Sequence, residues 1–328
     1  MLISSAESVS SFRFSAVIPK IFRMFVIGSN SCDMNEFKGT GVALITPFTE
    51  KYEIDRDSLL NAVDYIIDGG VDFIAVLGTT SEAPALEESE KLYIARTVSN
   101  HVRNRIPLMI GIGGNNTREV IRRINEFPLK KDYSGILSVV PYYNKPSQEG
   151  IYNHFSRIME ETDHPLCLYN IPGRTGVNMT AGVVCRLAAE YKYILGIKEA
   201  SGNFEQMSDI LQKCREDFLL FSGDDSLTLP VLSIGGKGVI SVAANIIPRM
   251  FSDMVNSGLE NRFPEARSMH LKLGNFMRTL FVEGNPVGIK AALKQKGIIR
   301  SDAVRPPLIK ATPSLYIRIK QSLEEAGC

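Results

Sequence analysis

The chain has 328 residues, 44% of them hydrophobic, a length beyond one ordinary domain but normal for an α/β barrel with additions. With 37 basic against 36 acidic residues the net charge is +1, which leaves no electrostatic footprint for nucleic acid or an anionic membrane and points to a small-molecule partner. The five cysteines, Cys32, Cys167, Cys185, Cys214 and Cys328, are odd in number, widely spaced and never in a C-x-x-C pair, so neither a disulfide framework nor a zinc site is expected and the compartment reads as reducing.

Residues 1–36 are serine-rich, with apolar residues interrupted by Arg13, Lys20 and Arg23, and the run "MFVIG" is too short for a signal-peptide core or a membrane span. They read as a disordered extension. Their Arg and Ser content also fits a transit peptide, and Met34 stands where translation could begin, just ahead of the patterned region. From Gly41 onward short apolar runs recur: "GVALITPF" (41–48), "DFIAVLG" (72–78), "IPLMIGIG" (106–113), "GILSVVP" (135–141), "PLCLYNIP" (165–172), "YILGIKEA" (193–200), "FLLFSGD" (218–224) and "GVISVAAN" (238–245). Amphipathic stretches such as "DRDSLLNAVDYIIDGG" and "EGIYNHFSRIMEET" lie between them, with apolar residues at helical spacing. Eight buried strands alternating with helices predict an α/β fold, a (β/α)8 TIM barrel over 37–259. The competing open doubly wound sheet lacks its dinucleotide signature, because "GIGGNN" (111–116) does not have G-x-G-x-x-G spacing. Beyond 260 only helical patterns remain, predicting a C-terminal helical subdomain over 260–328.

Active sites in such barrels gather at the C-terminal ends of the strands. On this scheme the mouth collects Thr79 and Thr80 after the second strand, Tyr142 and Tyr143 after the fourth, Tyr169 and Arg174 at the fifth, Lys198 at the sixth and "SGDD" after the seventh. A lysine at a strand end ordinarily snorkels to water. Here alternation puts Leu195 and Ile197 on the helix-facing side and Lys198 on the inward face with Ile194 and Gly196, the glycine leaving room for it. Burial beside another cation depresses an amine's pKa. From a free value of about 10.4, a fall of roughly three units raises the neutral, nucleophilic fraction at pH 7 about a thousandfold. The tyrosines serve equally as core aromatics or as proton-relaying phenols. Arg174, in a Pro-Gly-Arg turn, is either solvated or a planar fork for a carboxylate. The "GDD" at 223–225 invites a metal, but His101, His154, His164 and His270 all fall on helices or just before a strand, so no metal site is expected.

Taken in order, "GVALITPF", "GTTSE", "PYYNKPSQEG", "YNIPGRTG", "GIKEASG", "FSGDD" and "GVISVAAN" resemble the dihydrodipicolinate (4-hydroxy-tetrahydrodipicolinate) synthase family of the pyruvate-dependent class I aldolase superfamily, from about Phe37 to the C-terminal helices. The resemblance implies condensation of pyruvate with L-aspartate 4-semialdehyde to 4-hydroxy-tetrahydrodipicolinate, the entry to diaminopimelate and lysine synthesis. It implies that Lys198 forms an imine with pyruvate, that Tyr169 shuttles protons, and that Thr80 links it to Tyr143 reaching in from a neighbouring subunit. Thr79 and Thr80 would hold the pyruvate carboxylate near the carbonyl of Ile240 and near Gly223, and Arg174 would take the carboxylate of the semialdehyde. No cofactor beyond the covalent imine is implied. A cytoplasmic homo-oligomer, a tetramer built as a dimer of dimers, is expected.

N-acetylneuraminate lyase and the 2-keto-3-deoxy sugar acid or hydroxy-oxoglutarate aldolases share the lysine and the tyrosine. Arg174 separates this chain from them, since they usually lack an arginine in that turn. A catalytically silent barrel is the other alternative, and the complete set of lysine, tyrosines, threonine and arginine argues against it. One departure concerns lysine as a feedback inhibitor: Glu88 and Lys91 stand where lysine-inhibited members carry histidines, although Asn115, Glu119 and Tyr142 are retained, and inhibition is therefore left open.

Overall fold

The computed structural model describes residues 34–327. The expectations for residues 1–33 and for Cys32 and Cys328 lie outside the described residues. The described chain opens with a 3-10 turn, Met34–Phe37, slightly ahead of the expected start of the barrel. This turn is fixed because the fully buried Phe37 ring packs edge-on against Phe73, with centroids 5.3 Å apart.

Eight parallel strands close into a barrel in chain order: β1 Gly39–Ala43, β2 Phe73–Val76, β3 Leu108–Gly111, β4 Gly135–Val139, β5 Leu166–Asn170, β6 Ile194–Glu199, β7 Leu219–Ser222 and β8 Gly238–Ser241, which pairs back onto β1. Closure rules out the open sheet. Seven strands lie inside the predicted runs; β1 begins earlier, at Gly39, because its register runs Gly39↔Gly238 and Thr40↔Val239. Leu44, Ile45 and Phe48, which extended the first run, are buried in the loop beyond β1. The surrounding helices are α1 Arg56–Asp68, α2 Glu88–Val102, α3 Thr117–Glu126, α4 Gln148–Glu161, the short α5 Pro172–Thr175, α6 Ala181–Glu190, α7 Phe204–Lys213, α8 Thr228–Ser233 and α9 Pro248–Leu259. Asp55, Asn116, Ser147 and Asn203 each accept a backbone N–H of the first turn, at the starts of α1, α3, α4 and α7, so these helices begin where sequence supplies a cap. After α9 come only helices: α10 Phe263–Thr279, α11 Val287–Gln295 and α12 Pro313–Glu325. Among the described residues no helix is long and apolar enough to cross a membrane.

One side of each strand feeds a continuous apolar layer between barrel and helices, to which β1, β2, β3, β5 and β7 contribute Val42, Ile74, Ile110, Leu168 and Leu220. The other side fills the barrel. Phe73 of β2 and Phe221 of β7 meet with ring centroids 5.7 Å apart although β8 and β1 separate their strands, so both rings point inward.

Strict alternation fails at the upstream end of β6. The pairing with β5 slips from Leu166↔Ile194 to Cys167↔Gly196, leaving Leu195 as an extra residue. Ile194 therefore joins Ile197 in the outer apolar layer, while Leu195 approaches Phe37 inside the barrel, the reverse of the expected facing. Regular alternation resumes at Gly196, and Lys198 keeps the inward direction predicted for it. The reason for Gly196 also changes: a Cβ there would stand 2.0 Å from the Leu219 carbonyl oxygen, so β7 itself demands the glycine.

Candidate active site at the barrel mouth

Lys198 is the next-to-last residue of β6, paired with Tyr169 of β5 on one side and Phe221 of β7 on the other. It is 6% exposed, and its Nζ lies 4.7 Å from the centre of the Tyr169 ring. Loss of hydration lowers its pKa to about 8; Asp225 and Cys167 pull it back up, and the Arg174 charge pushes it down further. The expectation of a desolvated amine beside a cation is met, and burial is the larger cause. Beneath it the Cys167 thiol is pushed up to about 12 by burial, so it stays protonated.

Tyr169 is 6% exposed, and burial pushes its phenol up to about 12, opposed by the Arg174 charge and by a side-chain hydrogen bond with Thr79. The expected relay puts Thr80 between Tyr169 and Tyr143, whereas the threonine that acts on the Tyr169 phenol here is Thr79. Thr79 and Thr80 share one 3-10 turn, Thr79–Ser81, after β2, and consecutive residues of such a turn face different ways. Thr79 faces the phenol; Thr80, 2% exposed, instead accepts a hydrogen bond from Asn285. Tyr143 is 88% exposed and has a left-handed backbone (φ 73°), a strained conformation for a bulky residue that throws its ring outward from the loop after β4.

Arg174 lies on the exposed side of α5, whose turn is set by Pro172 and closed by Gly176 at φ 72°. Its charge acts on both Tyr169 and Lys198. A cavity of about 370 Å³ opens here, with Thr79, Tyr142, Tyr169 and Arg174 in its wall. Gly223 donates its N–H to the Glu199 carbonyl at 2.7 Å, and a Cβ on it would stand 2.6 Å from that of Ala200, so the β6 and β7 ends approach through a glycine. Ile240 sits in β8 opposite Gly41 and is 1% exposed.

Several contributors were not singled out from sequence. Asp225, read only within a doubtful metal motif, is 2% exposed and accepts backbone N–H bonds from Val242 and Ala243; burial raises its pKa to about 6, and its charge reaches Lys198. Glu199 points away from Lys198 into a polar knot, taking hydrogen bonds from Asn170, Gln206 and the Ser201 N–H at 3.0, 2.9 and 2.7 Å. That knot locks the ends of β5 and β6, which carry Tyr169 and Lys198. Asn285 and Lys290, from the C-terminal helical part, reach the loop after β2. An "N-P" pair and a lysine inside an apolar helix gave no signal of such a reach. Among the described residues no group of three His, Cys, Asp or Glu side chains could hold a metal ion. Cys185 and Cys214, far apart in sequence, bring their sulfur atoms within 3.2 Å as free thiols on the flanks of α6 and α7.

Near the residues that bear on lysine inhibition, Asn115 donates to the Tyr142 carbonyl at 3.1 Å, Glu119 pairs with Arg122 at 2.6 Å, and Lys91 pairs with Glu88 at 2.8 Å. A second cavity of about 230 Å³ between α2 and α3 shares Lys91 and Arg123 with the mouth cavity.

Residues 36–326 match the Dihydrodipicolinate synthetase family. The chain is 46% identical over 296 residues to the 4-hydroxy-tetrahydrodipicolinate synthase of Porphyromonas gingivalis, covering 89% of this chain and 99% of that protein. Among solved structures, dihydrodipicolinate synthase from Thermotoga maritima superposes with a TM-score of 0.86 at 37% identity, covering 89% of this chain and 99% of the other. The synthase from Cyanidioschyzon merolae, solved with lysine bound, gives 0.84 at 38% identity with the same coverage.

Proposed function

Because the chain belongs to the Dihydrodipicolinate synthetase family, we infer that it is a lyase that condenses pyruvate with L-aspartate 4-semialdehyde to 4-hydroxy-tetrahydrodipicolinate, the first step of the diaminopimelate and lysine branch. The observation that carries the mechanism is the buried, low-pKa Lys198 against the Tyr169 ring, with the Arg174 charge close by. Neutral Nζ attacks C2 of pyruvate and water leaves, giving an imine. Loss of a C3 proton gives the enamine, whose C3 attacks the aldehyde carbon; the new alkoxide takes a proton. Attack of the semialdehyde's own amino group on C2 then closes the ring and frees Lys198.

Each step moves a proton at the mouth. A phenol held near 12 stays protonated at neutral pH, so Tyr169 gives a proton only as it receives another through Thr79. The outward Tyr143 ring suits a relay completed in a neighbouring subunit, which supports a homo-oligomer with a two-fold interface, the unit from which a dimer of dimers would be built. Thr79, Thr80, Gly223 and the carbonyl of Ile240 form the pyruvate side of the site. Arg174 takes the carboxylate of the semialdehyde and favours this reaction over cleavage of N-acetylneuraminate or keto-deoxy sugar acids. The imine is the only prosthetic chemistry, and the enzyme works in the cytoplasm. Borohydride reduction with pyruvate tests the reading: it should add one pyruvate-derived group at Lys198 by peptide mass mapping, and a label elsewhere, or none on active protein, would refute it.

A further inference from the structure

Thr80 is held from a distant part of the chain. Its Oγ1 accepts a hydrogen bond from Asn285 Nδ2 at 2.9 Å, between residues 205 positions apart. Asn285 precedes α11, is 9% exposed, and its Oδ1 has no partner among the described residues, so its amide is committed to Thr80 alone. The same C-terminal segment grips this loop at three further points. Lys290 and Glu82 form a fully buried ion pair, the Arg305 N–H donates to Glu82 Oε2 at 2.8 Å, and the Arg305 guanidinium donates to the Ala85 carbonyl at 2.9 Å. The loop after β2 and the segment from Asn285 to Arg305 are thus one packed unit.

A hydroxyl has one proton and two lone pairs. An Asn285 N–H occupies one lone pair of Thr80 Oγ1, so the Thr80 proton is turned away from Asn285. A carboxylate only accepts, so it is bound only by a hydroxyl whose proton is free to point at it. We propose that Asn285 is a positioning residue for the keto-acid substrate: by donating to Thr80 it sets that hydroxyl as a donor toward the pyruvate carboxylate, and so makes the C-terminal helical subdomain a working part of the pyruvate site. This rests on the reading of Thr80 as a ligand of that carboxylate.

The test is a double-mutant cycle of Asn285→Leu and Thr80→Val, read by steady-state KM for pyruvate, KM for the semialdehyde and kcat, on the full-length enzyme. Asn285→Leu should raise the pyruvate KM by about three- to tenfold, the worth of one neutral hydrogen bond, with the semialdehyde KM unchanged. In the Thr80→Val background the same substitution should change the pyruvate KM by less than about twofold, since nothing remains to orient. Equal rises in both backgrounds, or a fall in kcat with no change in pyruvate KM, would overturn the proposal and leave Asn285 a structural tie. If Thr80→Val raises the pyruvate KM and Asn285→Leu does not, the positioning role fails alone. If Thr80→Val leaves that KM unchanged, the carboxylate assignment fails and takes the proposal with it. Asn285→Ala, which deletes the amide without adding bulk, gives the same readings should the leucine variant not fold.

Discussion

The environment of Lys198 makes a quantitative prediction about pH. With a pKa of about 8, roughly one amine in eleven is neutral at pH 7, against about one in three thousand at the ordinary 10.5, a gain of about 300-fold. The neutral fraction rises tenfold per pH unit below 8 and levels off above it. Competitive acetylation with trace acetic anhydride, followed by peptide mass spectrometry, reads that fraction at Lys198 directly, with a surface lysine as internal standard. The labelling rate should bend near pH 8, while the standard keeps rising toward pH 10. Asp225→Asn sharpens the test. Its carboxylate, ionised above about pH 6, raises the lysine pKa, so removing the charge must move the bend to lower pH. The variant should also lose roughly 1 to 3 kcal/mol of stability, because a neutral amide oxygen accepts the Val242 and Ala243 N–H groups more weakly than the carboxylate Oδ2 does, and the amide NH2 would face the Val242 N–H that Oδ1 now shares. A Lys198 rate still climbing past pH 10, or a bend that moves upward in Asp225→Asn, would refute the electrostatic account.

Arg174→Ala should lower kcat/KM for the semialdehyde by about 10- to 150-fold, the roughly 1.5 to 3 kcal/mol of a charge-assisted pair, while borohydride trapping with pyruvate stays efficient; equal loss at both steps would mark a structural arginine. Mixed dimers refolded from Lys198→Ala and Tyr143→Phe chains should regain one working site each if the exposed Tyr143 serves its partner, and activity no better than the separate mutants would end the shared-site reading. Lys290→Ala should cost about 3 to 5 kcal/mol in urea unfolding by stranding Glu82 in the interior, and a loss under about 1 kcal/mol would show that Glu82 does not depend on its ion pair.

Much of this protein was legible in one dimension. Eight apolar runs alternating with amphipathic stretches indicate a parallel sheet covered by helices, eight such units without a dinucleotide signature favour closure into a barrel, and the barrel fixes which residues share a mouth. Lys198, Tyr169 and Arg174 could be placed at that mouth on this basis, since position along a strand or at its end is a local property. Tertiary structure decided what depends on contacts between distant segments. The slip opposite Cys167 reversed Leu195 and Ile194, which period-two counting cannot foresee because a bulge is set by the neighbouring strand. That Asn285 takes the hydroxyl of Thr80 rather than of Thr79 depends on the turn that holds the two threonines and on a segment 205 residues away. The Asp225 charge acting on the lysine, and the Cys185 and Cys214 thiols drawn together from separate helices, likewise have no signature in spacing. Hydrophobic periodicity specifies which face of an element is buried, whereas the direction of a single proton depends on which side chain packs against it from elsewhere in the chain.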